Sequence, residues 1–170
     1  SVTNNVFLCS DMSEQFSFII VKPYGQNHRV NGMNVSGNLF RSSGGTINRV
    51  DRVDTSFVGL NLAAMRNIHF TNNTYLNVSN GVENPLLLSH AQNTHAQTWV
   101  IDTANRLPFG GYTLQVESLV LSSRPRDTSN VSLFATPYTS VREGGGQDQV
   151  HAIWPEPVRG DATLRVRMDS

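Results

Sequence analysis

The sequence contains little cysteine or lysine, and its charges balance. Cys9 is the only cysteine, so a disulfide framework and a zinc site built from cysteines are both excluded. Thirteen acidic and thirteen basic residues cancel, which leaves no basic field to recruit nucleic acid or a membrane surface. Lys22 is the only lysine. The other basic residues are arginines, which suit contacts to carboxylates and sugar hydroxyls as well as ordinary ion pairs.

Long apolar runs and strong helix formers are also scarce. No apolar run approaches about 18 residues, so we expect no membrane insertion. Asn, Ser, Thr, Val and Gly are abundant, which favours β-structure and turns. Residue 1 opens directly into a strand motif without a charged and apolar leader, and we therefore expect the chain to be a piece of something longer.

A six-residue motif occurs three times in the first half of the chain, at 2–7, 35–40 and 70–75. It runs apolar, hydroxyl, polar or Gly, Asn, any residue, aromatic, and it places Asn5, Asn38 and Asn73 at intervals of 33 and 35 residues. A period of this size predicts stacked repeats. We expect the asparagines to provide a left-handed corner and to bond along the stack, with the aromatic residues in its interior.

Short strands and polar turns connect the three motifs. The run 16–21 is rich in β-formers, and 22–30 is predicted to be a polar loop. Phe57, Leu60 and Leu62 are expected to rejoin the core before the third motif. The sequence contains no amphipathic helix of useful length between the motifs.

The second half reads as antiparallel β-structure. The composition changes at 80–85, so we place a domain boundary between residues 84 and 85, with a polar segment at 89–97. Strands are predicted at 98–102, 112–121, 131–141, 149–154 and 162–168, with a turn at 155–160. Five strands at this spacing favour an antiparallel sandwich over 85–170.

Residues 1–80 resemble the coils of right-handed parallel β-helices, as found in pectate-lyase-like proteins and bacteriophage tailspikes. A terminal β-sandwich after such coils is similar to tailspike organisation, in which the sandwich helps to hold a homotrimer. The resemblance implies an all-β fold with terminal parallel β-helix coils over 1–84 and a sandwich-like trimerisation domain over 85–170. It also implies an extracellular or virion-tail location and contact with cell-surface or extracellular polysaccharide.

Three residues are candidates for catalysis: Asp51, Arg52 and Asp54, within the charged run 49–54. Two carboxylates can divide acid and base roles at a glycosidic bond, and an arginine beside them suits a polyuronide lyase. Strand alternation places Asp51 and Asp54 on opposite faces unless a bulge intervenes. The alternative is ion pairing between repeats or subunits.

Three aromatic residues are candidates for carbohydrate binding: Tyr24, Trp99 and Trp154. Exposed aromatic rings stack on the apolar faces of sugars. Trp99 has a core position as its alternative, whereas Trp154, just before Pro155, is expected at the surface.

No metal or cofactor is predicted. The five histidines show no metal-ligand spacing, and phosphate-loop and dinucleotide-binding motifs are absent from the sequence. Three functions stay open: trimer assembly with polysaccharide binding, a polysaccharide lyase or hydrolase, and a purely structural virion component. β-Helices host all three, so the fold alone does not choose among them.

Overall fold

Short β-strands form most of the regular structure. The computed structural model describes residues 1–10 and 13–169. Within those residues there is no α-helix, only 3-10 turns at Leu62–Ala64 and Pro108–Gly110, and no helix that could cross a bilayer. The all-β prediction is confirmed. The strands are β1 (Val2–Thr3), β2 (Val6–Cys9), β3 (Ile19–Val21), β4 (Asn31–Ser36), β5 (Leu39–Ser42), β6 (Ile47–Arg49), β7 (Asp51–Val53), β8 (Arg66–Thr71), β9 (Thr74–Leu76), β10 (Val78–Asn80), β11 (Leu86–Asp102), β12 (Gln115–Leu121), β13 (Tyr138–Glu143) and β14 (Gln149–Arg167).

The first ten strands pair in parallel and stack the three motifs. They form four small sheets, ordered β1-β4-β8, β2-β5-β9, β3-β7 and β6-β10. Val2 pairs with Val35 and Val35 with Phe70, so equivalent motif positions lie above one another. The predicted stacking register is confirmed. Among the described residues, only the middle unit has a strand in all four sheets, since the first unit has no strand in the β6-β10 sheet and the third has none in the β3-β7 sheet.

An asparagine ladder runs along one corner of the stack. The Asn5 side-chain amide donates to Asn38 Oδ1 at 3.2 Å, and the Asn38 amide donates to Asn73 Oδ1 at 3.0 Å. The backbone N–H groups of Asn5 and Asn38 donate to the same two oxygens, each at 3.0 Å. Asn38 is buried, and these bonds satisfy polar groups that water cannot reach. The predicted bonding along the stack is confirmed.

The left-handed corner residue is not the ladder asparagine. It is the residue before it: Asn4, Gly37 and Asn72 have φ angles of 56°, 66° and 55°. The expectation that one asparagine does both jobs is therefore wrong. The corner residue turns the chain, and this turn points the next side chain along the stack. A side chain at position 37 would also collide with the Asn4 amide, so glycine fits there.

The aromatic residues of the motif form a second ladder inside the stack. The rings of Phe7 and Phe40 lie 4.9 Å apart at 6°, and those of Phe40 and Tyr75 lie 5.8 Å apart at 9°. Phe40 is fully buried. The predicted interior position of the motif aromatics is confirmed for this central ring, whose burial contributes to the cohesion of the stack.

The second half forms one antiparallel sheet and not two facing sheets. β14 pairs with β11 on one side and with β12 and β13 on the other. The polar segment 89–97 belongs to β11, and the predicted strand 131–141 is irregular until Tyr138.

The predicted turn at 155–160 is wrong, because β14 continues through it. Prolines usually end a strand since they cannot donate to the ladder. Here Pro155 and Pro157 fall where the register with β11 shifts, between the pairs Thr98–Ile153 and Ala96–Val158. No ladder N–H is required at these two positions, so the strand tolerates both prolines.

Polar contacts join the antiparallel sheet to the last repeat unit. The Asp169 carboxylate accepts the Ile68 N–H at 2.7 Å and the Asn84 amide at 2.8 Å. Asn84 also donates to Ile68 O at 2.6 Å and accepts the Met168 N–H at 3.0 Å. A single hydrophobic core continues from the stack into the sheet. The domain boundary between residues 84 and 85 stays a prediction.

Candidate functional site

Asp51, the first candidate for catalysis, lies fully buried in an ion pair. Arg49 Nε is 2.8 Å from Asp51 Oδ1, and an Arg49 terminal nitrogen is 3.2 Å from Oδ2. The Phe109 backbone N–H donates to the same Oδ2. Arg49 also donates to the carbonyls of Asn105 and Leu107, at 3.1 and 2.8 Å. These contacts attach the 3-10 turn of the second half to β7, and they occupy both carboxylate oxygens.

Phe109 shows why that attachment matters. Its φ of 58° is left-handed, an unfavourable conformation for a bulky residue. Its ring is buried and meets Phe70 edge-on at 5.9 Å. The Asp51 carboxylate therefore stabilises a strained turn, which is a structural role of the kind expected for a buried charge network.

Arg52 and Asp54 point elsewhere. Arg52 is exposed and donates to the Gln15 carbonyl at 3.1 Å. Asp54 accepts the Ser56 N–H at 3.0 Å and lies 3.2 Å from Lys22 Nζ. Hydrogen bonds from Ser56 and the neighbouring Lys22 lower the pKa of Asp54 from 3.8 to about 2. An ionised carboxylate cannot protonate a leaving group, so Asp54 is poorly suited to be a general acid.

Both tryptophans are buried. Trp99 and Trp154 lie 4.8 Å apart in ring centroids on the inner face of the antiparallel sheet. The Trp99 indole N–H donates to Val158 O at 3.0 Å. Trp154 is only 1 % exposed, so the expectation that it lies at the surface is wrong. Strand alternation turns it inward, because β14 continues where a turn was predicted. Neither indole presents a face to solvent for a sugar.

Tyr24, the remaining candidate, lies in an exposed aromatic pair. Tyr24 is 64 % exposed and Phe57 is 68 % exposed, and their rings lie 5.8 Å apart. Lys22 Nζ is 5.7 Å from the centre of the Tyr24 ring. The same ammonium pairs with Asp54, so two of the predicted site residues, Tyr24 and Asp54, lie beside one lysine. We call Tyr24, Phe57, Lys22 and Asp54 the aromatic corner.

The aromatic corner is built by two stacked loops. β3 and β7 pair in register, and the loops that follow them, 22–30 and 54–61, start together through the Asp54 N–H to Val21 O bond of 2.8 Å. They meet again where the Asn61 N–H donates to His28 O at 2.9 Å. The Tyr24 N–H donates to His28 Nδ1 at 3.3 Å, which ties the loop to itself. The two aromatic rings are thus held by paired backbones.

A concavity of about 470 Å³ opens beside the aromatic corner. It is lined by Val21, Lys22, Pro23, Asn27, His28, Arg29 and Leu60. Donors and acceptors surround a partly apolar floor there. This mixture suits a polar ligand with apolar faces, which is the surface chemistry of a sugar ring.

The expectation that Phe57 rejoins the core is wrong, because its side chain is 68 % exposed. Phe57 was therefore not among the candidate residues predicted from the sequence. The sequence did contain a signal for it. Phe57 follows Tyr24 by 33 positions, which is the spacing of the first two motifs. A period-based alignment of the loops would have paired the two aromatics. Leu60 and Leu62 do pack against the core, as predicted.

Comparison with known proteins returned no matching family model, no matching curated protein and no matching solved structure. Within residues 1–10 and 13–169, no three His, Cys, Asp or Glu side chains converge as metal ligands would.

Proposed function

We propose that this chain is the C-terminal part of a tailspike-like protein with a right-handed parallel β-helix. In this proposal it assembles as a homotrimer and binds cell-surface or extracellular polysaccharide, outside the cell or on a virion tail. The parallel stacking of three units and the asparagine and aromatic ladders support the β-helix part of the proposal.

The exposed aromatic corner carries the binding part of the proposal. Tyr24 and Phe57 are each exposed over about two thirds of their surface, and covering them with a ligand would remove apolar area from water. Their faces suit the C–H face of a sugar. Lys22, Asp54 and the adjacent concavity supply groups for its hydroxyls.

Exposed apolar side chains on the outer face of the antiparallel sheet support assembly. Alternation and cross-strand register put five exposed apolar side chains on the face opposite the core. They are Leu87, Val100, Val120, Tyr138 and Ile153. Leu87 lies opposite Arg165, Val100 opposite His151 and Val120 opposite Thr163, so apolar and polar groups alternate on this face. A mixed face suits a subunit interface, and closed cyclic symmetry would cover it in every copy.

Calorimetric titration with fragments of capsular and extracellular polysaccharides tests the binding. We expect Tyr24→Ala and Phe57→Ala each to weaken a bound fragment by about ten-fold, because each removes one stacking ring. Leu8→Ala, an exposed apolar residue on another face of the stack, is the matched control and should bind normally. Failure of every fragment to bind would favour the structural alternative. Release of reducing or unsaturated ends, abolished by Asp54→Ala, would favour a lyase or hydrolase.

Light scattering coupled to size exclusion tests the assembly. The wild-type chain should have three times the monomer mass at micromolar concentration. Val120→Lys places a charge at an exposed apolar position of this outer face and should give monomers. Leu76→Lys, at an exposed position on the stack, should leave the mass unchanged. A stable wild-type monomer would refute the trimer.

A further inference from the structure

A second concave region lies far along the chain from the aromatic corner, where the segment 122–126 runs beside β14. One part has a volume of about 410 Å³ and is lined by Arg124, Arg126, Arg159 and Asp161 among others. A neighbouring part of about 650 Å³ is lined mainly by apolar groups, including Leu121, Leu133 and Phe134. The two share Ser123 and Arg124. We call the whole the arginine groove.

The backbone of the arginine groove is held on both sides. Arg126 and Arg159 exchange two N–H to carbonyl bonds, of 2.9 and 3.0 Å. The Leu133 N–H donates to Pro125 O at 2.8 Å, which folds the following loop back over the segment. A Cβ at Gly160 would lie 3.3 Å from Ser123 Oγ and 3.4 Å from Pro125 Cα, so the segment packs closely against β14 at this point. The arginines therefore project from fixed backbone.

The arrangement of charge in the groove is unfavourable without a ligand. Arg126 and Arg159 form a directly opposed antiparallel pair, so their side chains leave the same face. Like charges in directly opposed positions repel. Asn130 accepts from both guanidiniums, with its carbonyl at 2.9 Å from Arg126 and its Oδ1 at 3.1 Å from Arg159. This neutral bridge fixes the two guanidiniums near each other without neutralising them.

No carboxylate of the described residues forms an ion pair with the arginines of the groove. In residues 1–10 and 13–169, Arg124, Arg126 and Arg159 form no salt bridge. Asp161 is the only acidic side chain in the lining. Three arginines against one aspartate leave a positive site, and an anion bound there would relieve the repulsion between Arg126 and Arg159.

The apolar part of the groove restricts the class of anion. Phe134 is 91 % exposed beside Leu133 and Pro125. A small inorganic anion would leave that ring uncovered. An acidic sugar offers both features at once, since its carboxylate suits a guanidinium fork and its ring face suits an aromatic side chain.

We propose that the arginine groove binds a uronate-containing segment of an acidic polysaccharide. The uronate carboxylate lies between Arg126 and Arg159, and an adjoining sugar ring covers Phe134. That the ligand is a glycan rests on the proposed function, whereas the groove and its preference for an acidic sugar are additional to it.

Titration calorimetry of the full chain with oligogalacturonate is the direct test, with the fully methyl-esterified oligomer as the uncharged control. We expect the acidic oligomer to bind at low salt and the ester to bind at least ten-fold more weakly. Arg126→Gln and Arg159→Gln should each weaken the acidic oligomer by about 10- to 100-fold, because each removes a charged hydrogen bond. Arg41→Gln, an exposed arginine on the stack, should bind as the wild type does.

The variants separate the alternatives. Arg126→Lys keeps the charge and should retain part of the affinity, and circular dichroism of each variant shows whether it is folded.

Equal binding of acid and ester, or loss of acid binding in Tyr24→Ala alone, would overturn the groove proposal and leave the proposed function intact. Failure of every glycan to bind would overturn both. Inorganic sulfate competing as well as the oligomer would overturn the sugar assignment, and loss of the trimer in Arg159→Gln would assign the groove to a second copy of the chain.

Discussion

At the scale of single residues, the two aspartates three positions apart experience opposite environments. Asp51 is enclosed with Arg49 and the Phe109 N–H, whereas Asp54 is solvated beside Lys22. We expect Asp51→Ala to lower the free energy of unfolding by about 3–5 kcal/mol, because it leaves a largely buried guanidinium unpaired. Asp54→Ala should shift the denaturation midpoint very little. Urea denaturation of both variants checks this, and similar losses at the two sites would contradict the structural role of Asp51.

The two tryptophans provide a matched pair for a single hydrogen bond. The Trp99 N–H donates to Val158 O, while the Trp154 N–H has no partner among the described residues. Replacement by Phe removes the N–H and keeps an aromatic ring. We expect Trp99→Phe to cost about 1 kcal/mol more than Trp154→Phe, because only the former leaves a buried carbonyl unpaired. Chemical denaturation followed by far-ultraviolet circular dichroism measures the difference, and the reverse order would refute it.

At the scale of the elements, the asparagine ladder predicts that the loss of stability on substitution depends on the position within the ladder. Asn38 takes part in bonds to Asn5, Asn73 and the Val2 carbonyl, and it is buried. We expect Asn38→Ala to cost more than about 2 kcal/mol, since several buried groups lose partners. Asn5 lies exposed at the end of the ladder, so Asn5→Ala should cost clearly less. Denaturation midpoints that do not differ would show that the ladder contributes nothing to stacking.

The Asp169 carboxylate, just after β14, predicts that the stability of the fold depends on pH. Burial alone would raise the pKa of Asp169, but hydrogen bonds from Arg167, Asn84 and the Ile68 N–H outweigh it and lower the pKa. A lowered folded pKa gives stability that is present above the unfolded value of about 3.9 and is lost as the pH falls through the folded value. We therefore expect the wild type to lose stability in acid more steeply than Asp169→Asn. Thermal unfolding at pH 7, 4 and 3 compares them, and parallel curves would contradict the prediction.

The elements also show what the sequence can and cannot predict. The stack was predictable because Asn5, Asn38 and Asn73 repeat at a nearly constant interval, and the parallel register follows from that interval. The continuous strand β14 was not, because Pro155 and Pro157 normally break strands, and only the register shift against β11, with its extra residues in β14, makes them tolerable. Local propensity contains no information about the register with a partner strand.

The candidate sites also differ in how far the sequence predicts them. Tyr24 was identified because it is a lone aromatic residue in a polar loop, and Phe57 follows it by one repeat. The pairing of Arg126 with Arg159 joins residues far apart in sequence through an isolated bridge, which no local pattern encodes. Asp51 drew attention as a charge in a charged run, but its partner Phe109 comes from the other half of the chain. So do Asn105 and Leu107, whose carbonyls accept from the Arg49 that pairs with Asp51.

At the scale of the whole molecule, two polar seams and one core join the stack to the antiparallel sheet. One seam centres on Asp51 and Arg49, and the other on Asn84 and Asp169. The hydrophobic core is continuous across both. We therefore expect one cooperative unfolding transition. Tryptophan fluorescence reports on the sheet and far-ultraviolet circular dichroism on the whole chain, and separate midpoints would indicate that the two halves unfold independently.

The aromatic corner and the asparagine ladder lie in different parts of the repeat units. This separation has a consequence for how the sequences of related chains could diverge. Tyr24 and Phe57 lie in loops that leave the stack after β3 and β7, whereas the asparagines that hold the units together lie between other strands. Under the proposed function, mutations in the loops therefore change which ligand is bound without disturbing the stacked fold. Substitutions could accumulate in the loops of one repeat unit at a time as the ligand changes, while the sequence of the asparagine ladder stays the same.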